Sequence, residues 1–234
     1  MISTKDAGGE STGGGLPKLI QPGEHVLKIN SVSLKRFSFM EADAGYYLML
    51  NVETKPIEGF EGFYIDNDES KGRHEGQIGE IKTNRYYYRD GKTPSGVEIS
   101  RDMEIAKAIR KVCMAANRYD WYESVDNKYK TIEDFIDGFN ESDVYKGKWF
   151  KMTVAGKEYE KKNGYTGYDL YFPKLTAKGL VNIEAEEAKP SRLISFNSGE
   201  HFIKLEPKEV TGFGDDVSAE EMPFDVNNNT DFDL

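Results

Sequence analysis

The sequence predicts a mainly β domain carrying one or two helices. Three observations predict it. Residues 24–39 alternate apolar and polar positions and then change parity midway, the pattern of a bent strand. Residues 100–117 are the one long stretch with apolar residues at helical period. Residues 146–175 hold two alternating runs around Lys162-Asn163-Gly164, and Asn-Gly between such runs is a strong hairpin signal.

The elements follow in order. Gln21-Pro22-Gly23 is a turn signal that opens the first strand. Within that strand Leu27 and Ile29 share one parity while Val32 and Leu34 share the other, so one residue must bulge. A second strand begins after Ala44-Gly45, with Leu48, Leu50 and Val52 on one face. Residues 59–79 mix Gly, Asp, Asn and Glu around the short apolar piece Phe63-Tyr64-Ile65, and a third strand is expected over 78–88. The helix then starts at the N-cap Ser100, with Asp102 and Glu104 in its first turn. Its stripe is Ile105, Ile109, Val112, Cys113 and Ala116, which makes Cys113 a packing residue. A second short helix is expected at 131–136. In the hairpin, Phe150, Met152 and Val154 face the core opposite Trp149, Lys151 and Thr153. Leu170 and Phe172 likewise oppose Asp169 and Tyr171. Beyond Ala177 only short apolar pieces remain, Leu180-Val181 and Leu193-Ile194.

Three strands, a helix and a two-strand hairpin form the element order of an OB-fold, a five-stranded barrel with its helix between strands 3 and 4. A bulged first strand fits, because it must bend to serve both halves of a closed barrel. Residues 119–145 then form an insertion beyond a minimal OB-fold. Such barrels bind oligonucleotides on the strand-2 and strand-3 face and the adjoining loops.

Residue types on the polar faces point the same way. Residues 146–178 hold eight lysines against three acids, interleaved with Trp149, Tyr159, Tyr165, Tyr168 and Tyr171. Around the third strand runs Lys82-Thr83-Asn84-Arg85-Tyr86-Tyr87-Tyr88-Arg89. Cations that track phosphates and rings that stack on bases are how single strands are held without reading sequence. The candidate nucleic-acid-binding residues are Arg36, Phe37, Lys82, Arg85, Tyr86, Tyr87, Tyr88, Trp149, Lys151, Lys157, Tyr159, Lys161, Lys162 and Tyr171.

Charge is unevenly spread. The chain of 234 residues carries 31 basic and 41 acidic residues, a net charge of −10. Eight of those acids lie in residues 209–234, which contain no Lys or Arg, leaving 31 basic against 33 acidic in residues 1–208. The body is near neutral, so the low pI does not exclude a nucleic-acid partner. Residues 1–15 read as a flexible Gly/Ser-rich leader, 16–208 as the nucleic-acid-binding domain, and 209–234 as a disordered acidic tail. One cysteine excludes an internal disulfide framework and a cysteine-based zinc site, which suits a cytoplasmic protein. No apolar stretch approaches the ~20 residues of a membrane span. His25, His74 and His201 lack ligand spacing, and phosphate-loop and nucleophile-elbow motifs are absent, so no catalytic residue, metal or cofactor is expected. Asp66, Asp68 and Glu69 lack the Gly and closing Glu of a calcium loop and read as a solvated loop.

The tail sets apolar anchors among its acids. Glu220-Glu221-Met222-Pro223-Phe224 resembles the acidic tip of bacterial single-stranded DNA-binding proteins, where an acid run precedes an apolar residue, a Pro and a Phe. The whole chain resembles the phage-type members that join an OB core to an acidic, Phe-bearing tail. That resemblance implies binding of single-stranded DNA and recruitment of replication or recombination proteins, in the host cytoplasm if the chain is phage-encoded. In the bacterial family the Pro-Phe pair ends the chain; here ten residues follow Phe224. Met222, Pro223, Phe224 and Asp225 therefore stand as one partner-binding tip, and Phe232 and Leu234 as another. The alternative is a protein-binding or virion-type assembly module whose main functional element is the tail. Either reading leaves a homo-oligomer open.

Overall fold

The structure, a computed structural model, describes residues 19–36, 45–65, 68–161 and 166–206. Its elements are β1 (Gly23–Lys35), β2 (Tyr47–Thr54), β3 (Phe63–Tyr64), β4 (Arg73–His74), β5 (Ile78–Lys82), β6 (Gly91–Lys92) and β7 (Glu98–Ile99). Three helices follow, α1 (Arg101–Ala115), α2 (Tyr119–Ser124) and α3 (Ile132–Glu141). The chain then returns to strands with β8 (Trp149–Glu160), β9 (Thr166–Tyr171) and β10 (Ile183–Ala185), and the last described elements are α4 (Ser198–His201) and β11 (Phe202–Ile203). The fold is mainly β, with four α-helices among the described residues where the sequence predicts one or two. The extra ones are a six-residue helix without a side-chain cap and a single turn, both too short to show a periodic stripe.

Five strands pair in a ring. β1 pairs antiparallel with β2, β2 with β5, β9 with β8, and β8 again with β1, while β5 and β9 run parallel. The first strand serves two neighbours, as its parity change predicts. Residues 23–28 pair with β8 and residues 27–35 with β2. The register steps from Ile29–Val52 to Ser31–Asn51, so Asn30 is the bulged residue. The Asn140 side chain of α3 clips onto this bend. Its Oδ1 accepts from Val32 N at 2.9 Å, its Nδ2 donates to Val32 O at 2.7 Å, and the Tyr145 hydroxyl donates to Oδ1 at 2.8 Å.

Inside the ring Leu27, Ile29, Val32, Leu48, Leu50, Val52, Ile81, Phe150, Met152 and Val154 are buried together. Ile105, Ile109, Val112 and Cys113 of α1 pack on them, with Ile136 and Phe139 of α3. Burial pushes the Cys113 thiol up to about 12, which leaves it a packing residue. Ser100 and Thr131 cap α1 and α3 by accepting from Met103 N and Asp134 N. Asp68 caps a 3₁₀ turn at Glu69–Lys71, a structural role for one of the loop acids; Asp66 lies outside the described residues.

Two expectations are corrected here. The third strand stops at Lys82 rather than reaching Tyr88, and Arg85–Tyr87 form a 3₁₀ turn. The cause is Asn84, whose buried amide replaces the ladder. Its Oδ1 accepts from Leu48 N at 2.8 Å, and its Nδ2 donates to Tyr46 O and Tyr87 O at 3.3 Å. Thr153 is fully buried, not solvent-facing. Its N–H donates to Asn182 O at 3.1 Å and its hydroxyl to Ile194 O at 2.5 Å, so the 181–194 segment covers this part of β8. The leader, the tail, the Lys162-Asn163-Gly164 turn and the end of the first expected strand lie outside the described residues. No described helix is long and apolar enough to cross a membrane.

Candidate nucleic-acid interface

The outer faces of β2, β5, β8 and β9 line one cleft of about 1230 Å³. The parity that sends Leu48, Leu50 and Val52 into the core brings Tyr47, Met49 and Asn51 of β2 to this cleft. β5 contributes Glu80 and Lys82, and the far half of the hairpin contributes Lys157, Tyr159, Lys161, Tyr168 and Asp169. Lys35 and Arg85 complete its charges, five cations against the carboxylates Glu80 and Asp169.

The aromatic groups are arranged in layers. Tyr47 and Tyr88 stack with ring centroids 5.1 Å apart. Lys82 Nζ lies 4.8 Å from the centre of the Tyr47 ring and 2.6 Å from Asp169 Oδ1. Lys82 and Tyr171 are register partners across the parallel β5–β9 pair. The Arg85 guanidinium lies over Tyr171, its Cζ 3.7 Å from the ring centre. Tyr86 meets Tyr171 edge-on at 6.4 Å and is 52 % exposed, so its ring is open to a ligand. Tyr159 is exposed at the end of β8. Burial raises the hydroxyl pKa values of Tyr47, Tyr168 and Tyr171, keeping these rings neutral.

A second layer of cations lies where β2 begins. The Tyr46 ring has the Arg101 guanidinium 3.7 Å from its centre and that of Arg36 at 5.2 Å, and its hydroxyl donates to Asp102 at 3.0 Å. Arg89 sits 5.6 Å over Tyr88. At the opposite end the β2–β5 connection is pinned by Glu53. Its carboxylate accepts from Asn30 Nδ2 at 3.1 Å and from the amides of Glu75 and Gly76 at 3.1 and 3.3 Å. It also pairs with Lys28 at 3.1 Å and His74 at 2.9 Å. Burial pushes this carboxyl up, but the bonds from His74, Asn30 and Lys28 outweigh it and hold its pKa below the ordinary value.

Of the residues singled out from the sequence, Lys82, Arg85, Lys157, Tyr159 and Lys161 line the cleft together. Tyr86 and Tyr88 adjoin it through the ring contacts above, Tyr87 is half-buried on the same turn, and Arg36 belongs to the second layer of cations, over Tyr46. Three positions differ from expectation. Tyr171 is buried, because Arg85 covers the face it presents. Trp149 and Lys151 do not line the cleft. They sit on the first half of β8, where β1 pairs on residues 149–154 and β10 on residues 150–152, and Lys55 lies 5.7 Å over the Trp149 ring. Phe37, Lys162, Met222, Pro223, Phe224, Asp225, Phe232 and Leu234 lie outside the described residues. The sequence reading missed Tyr46, Tyr47 and Arg101, and it quoted Arg89 in the third-strand run without naming it a candidate. Tyr47 carried a usable signal, since it alternates with Leu48 and Leu50 on the opposite face of β2.

Among the described residues no cluster of three His, Cys, Asp or Glu is placed to hold a metal ion. Comparison with protein-family models, with curated proteins and with solved structures found no match for this chain.

Proposed function

We propose that this chain is a sequence-tolerant single-stranded DNA-binding protein of replication or recombination, acting in the cytoplasm by binding rather than catalysis. The five-strand ring, with β5 and β9 parallel and α1 between β5 and β8, is read as an OB-fold barrel. The observation that carries the proposal is the cleft of about 1230 Å³ on its outer face. There five cations face two carboxylates beside Tyr47, Tyr159 and Tyr168, with Tyr86 exposed at its border. Cations beside the exposed rings of Tyr86 and Tyr159 suit splayed bases and continuous phosphates, which a paired duplex does not offer. The acidic tail recruits partner proteins through Phe224 or Phe232.

The test is anisotropy of labelled oligo-dT and of a duplex of equal length, titrated with full-length protein between about 50 and 200 mM salt. The single strand should bind more tightly, and log affinity should fall linearly with log salt. Equal binding of both, or a slope near zero, removes the proposal.

A second reading, a protein-docking module, is favoured by one observation. A separate cleft of about 670 Å³ between the helices is lined by Met103, Tyr119, Tyr122, Tyr129 and Phe135. Glu123 and Asp126 flank it, a poor setting for phosphates. A chain that fails the oligo-dT titration would be read this way.

A further inference from the structure

Arg85 and Lys82 line the same cleft, Arg85 over the buried Tyr171 ring and Lys82 over Tyr47, yet their electrostatic situations are opposite. Lys82 is already satisfied: its Nζ is 2.6 Å from Asp169 Oδ1, and its side chain is only 10 % exposed. Arg85 forms no ion pair among the described residues, and its Nη1 is buried without a hydrogen-bond acceptor. A buried donor left unsatisfied calls for an explanation, and an absent ligand is one. The Asn84 side chain fixes the turn that carries Arg85, and Tyr171 backs its guanidinium plane. The result is a half-buried, pre-oriented guanidinium at the cleft wall, whose fork of N–H groups matches the two oxygens of a phosphodiester.

We infer that Arg85 is the cation that receives a backbone phosphate in the cleft, and that Asp169 is a resident carboxylate that occupies Lys82 and so limits affinity. This rests on the reading of the cleft as a single-strand site. A phosphate reaching Arg85 gains charge-assisted hydrogen bonds and displaces no carboxylate. A phosphate reaching Lys82 only exchanges one anion for another and meets the Asp169 charge beside it. The same arrangement recurs at Lys35, whose Nζ is 2.6 Å from Glu80 Oε2. A cleft that carries its own anions releases a strand readily, which suits a protein that must be displaced by the enzymes that follow it.

The experiment is a set of oligo-dT titrations of the full chain across salt, with melting curves for each variant. Arg85→Gln should weaken binding roughly tenfold or more and lower the log–log salt slope by about 1. Arg85→Lys keeps the charge and loses the fork, so it should weaken binding with the slope retained. Asp169→Asn frees Lys82, so it should tighten binding and steepen the slope by about 1. Tyr86→Ala removes a stacking face and should weaken binding with no change of slope. An Arg85→Gln slope equal to that of the unaltered chain overturns the assignment. So does an Asp169→Asn variant that binds no more tightly. If Arg85→Gln does not fold, Arg85→Lys and Asp169→Asn decide the matter. A failure of this inference alone leaves the unaltered chain and Tyr86→Ala behaving as stated. A failure of the underlying reading removes oligo-dT binding from every form, the unaltered chain included.

Discussion

Glu53 joins three parts of the molecule through one carboxylate: the bulge at Asn30, the strand residue Lys28, and the connection at 74–76. Its folded-state pKa lies below the ordinary 4.5, so it contributes stability fully present above that value and lost as pH falls through the lower folded-state value. Acid unfolding should therefore have a component below about pH 4.5 that Glu53→Gln removes. Melting temperature against pH for both forms checks this, and parallel curves would refute it. Phe150 gives the second residue-scale prediction. It is wholly buried, so Phe150→Ala should cost about 3–5 kcal/mol in urea unfolding, whereas half-exposed Trp149→Ala should cost much less. The face of Phe150 was legible in the sequence because strand parity alone decides it. The burial of Tyr171 was not. Parity assigned it correctly to the outer face, but the group that covers that face, Arg85, comes from a different element.

At the scale of elements, α1 was readable because it carries a side-chain cap and an apolar stripe, while α3 was placed at 131–136 and runs on to Glu141. The bulge was readable because one extra residue inverts every later side chain, and the inversion at Asn30 is visible as a parity change. The early end of the third strand was hidden, because it depends on one amide reaching across to β2. A second amide, Asn140, ties α3 to the bend of β1 and replaces a backbone partner for both polar groups of Val32. Asn140→Ala would leave those groups and the Tyr145 hydroxyl without acceptor or donor. It should cost about 1–3 kcal/mol with an unchanged denaturant slope, since the surface exposed on unfolding stays the same. A cost near zero would mean that water replaces the clip.

Over the whole molecule the deciding quantity is where the charge sits. The net charge is −10, yet residues 1–208 carry 31 basic against 33 acidic residues, and all the remaining acids fall in the last 26 positions. Those acids are tethered to a body whose cationic cleft holds Lys35, Lys82, Arg85, Lys157 and Lys161. A tethered polyanion meets that cleft at an effective concentration set by the tether, and it competes with phosphates for the same cations. A truncation to residues 1–208 should therefore bind oligo-dT more tightly than the full chain at low salt. The gain should shrink as salt rises, because screening weakens the tail's competition. Recruitment of a partner protein should move the other way and vanish with the tail, with Phe224→Ala and Phe232→Ala reporting which anchor docks. Melting temperature should be nearly the same for both lengths, because the buried apolar core of the described residues lies within residues 20–194. Paired titrations of the two lengths at two salt concentrations make the test. Equal or weaker affinity of the truncation at low salt would remove the competition and leave the last 26 residues as a docking peptide or a solubility device.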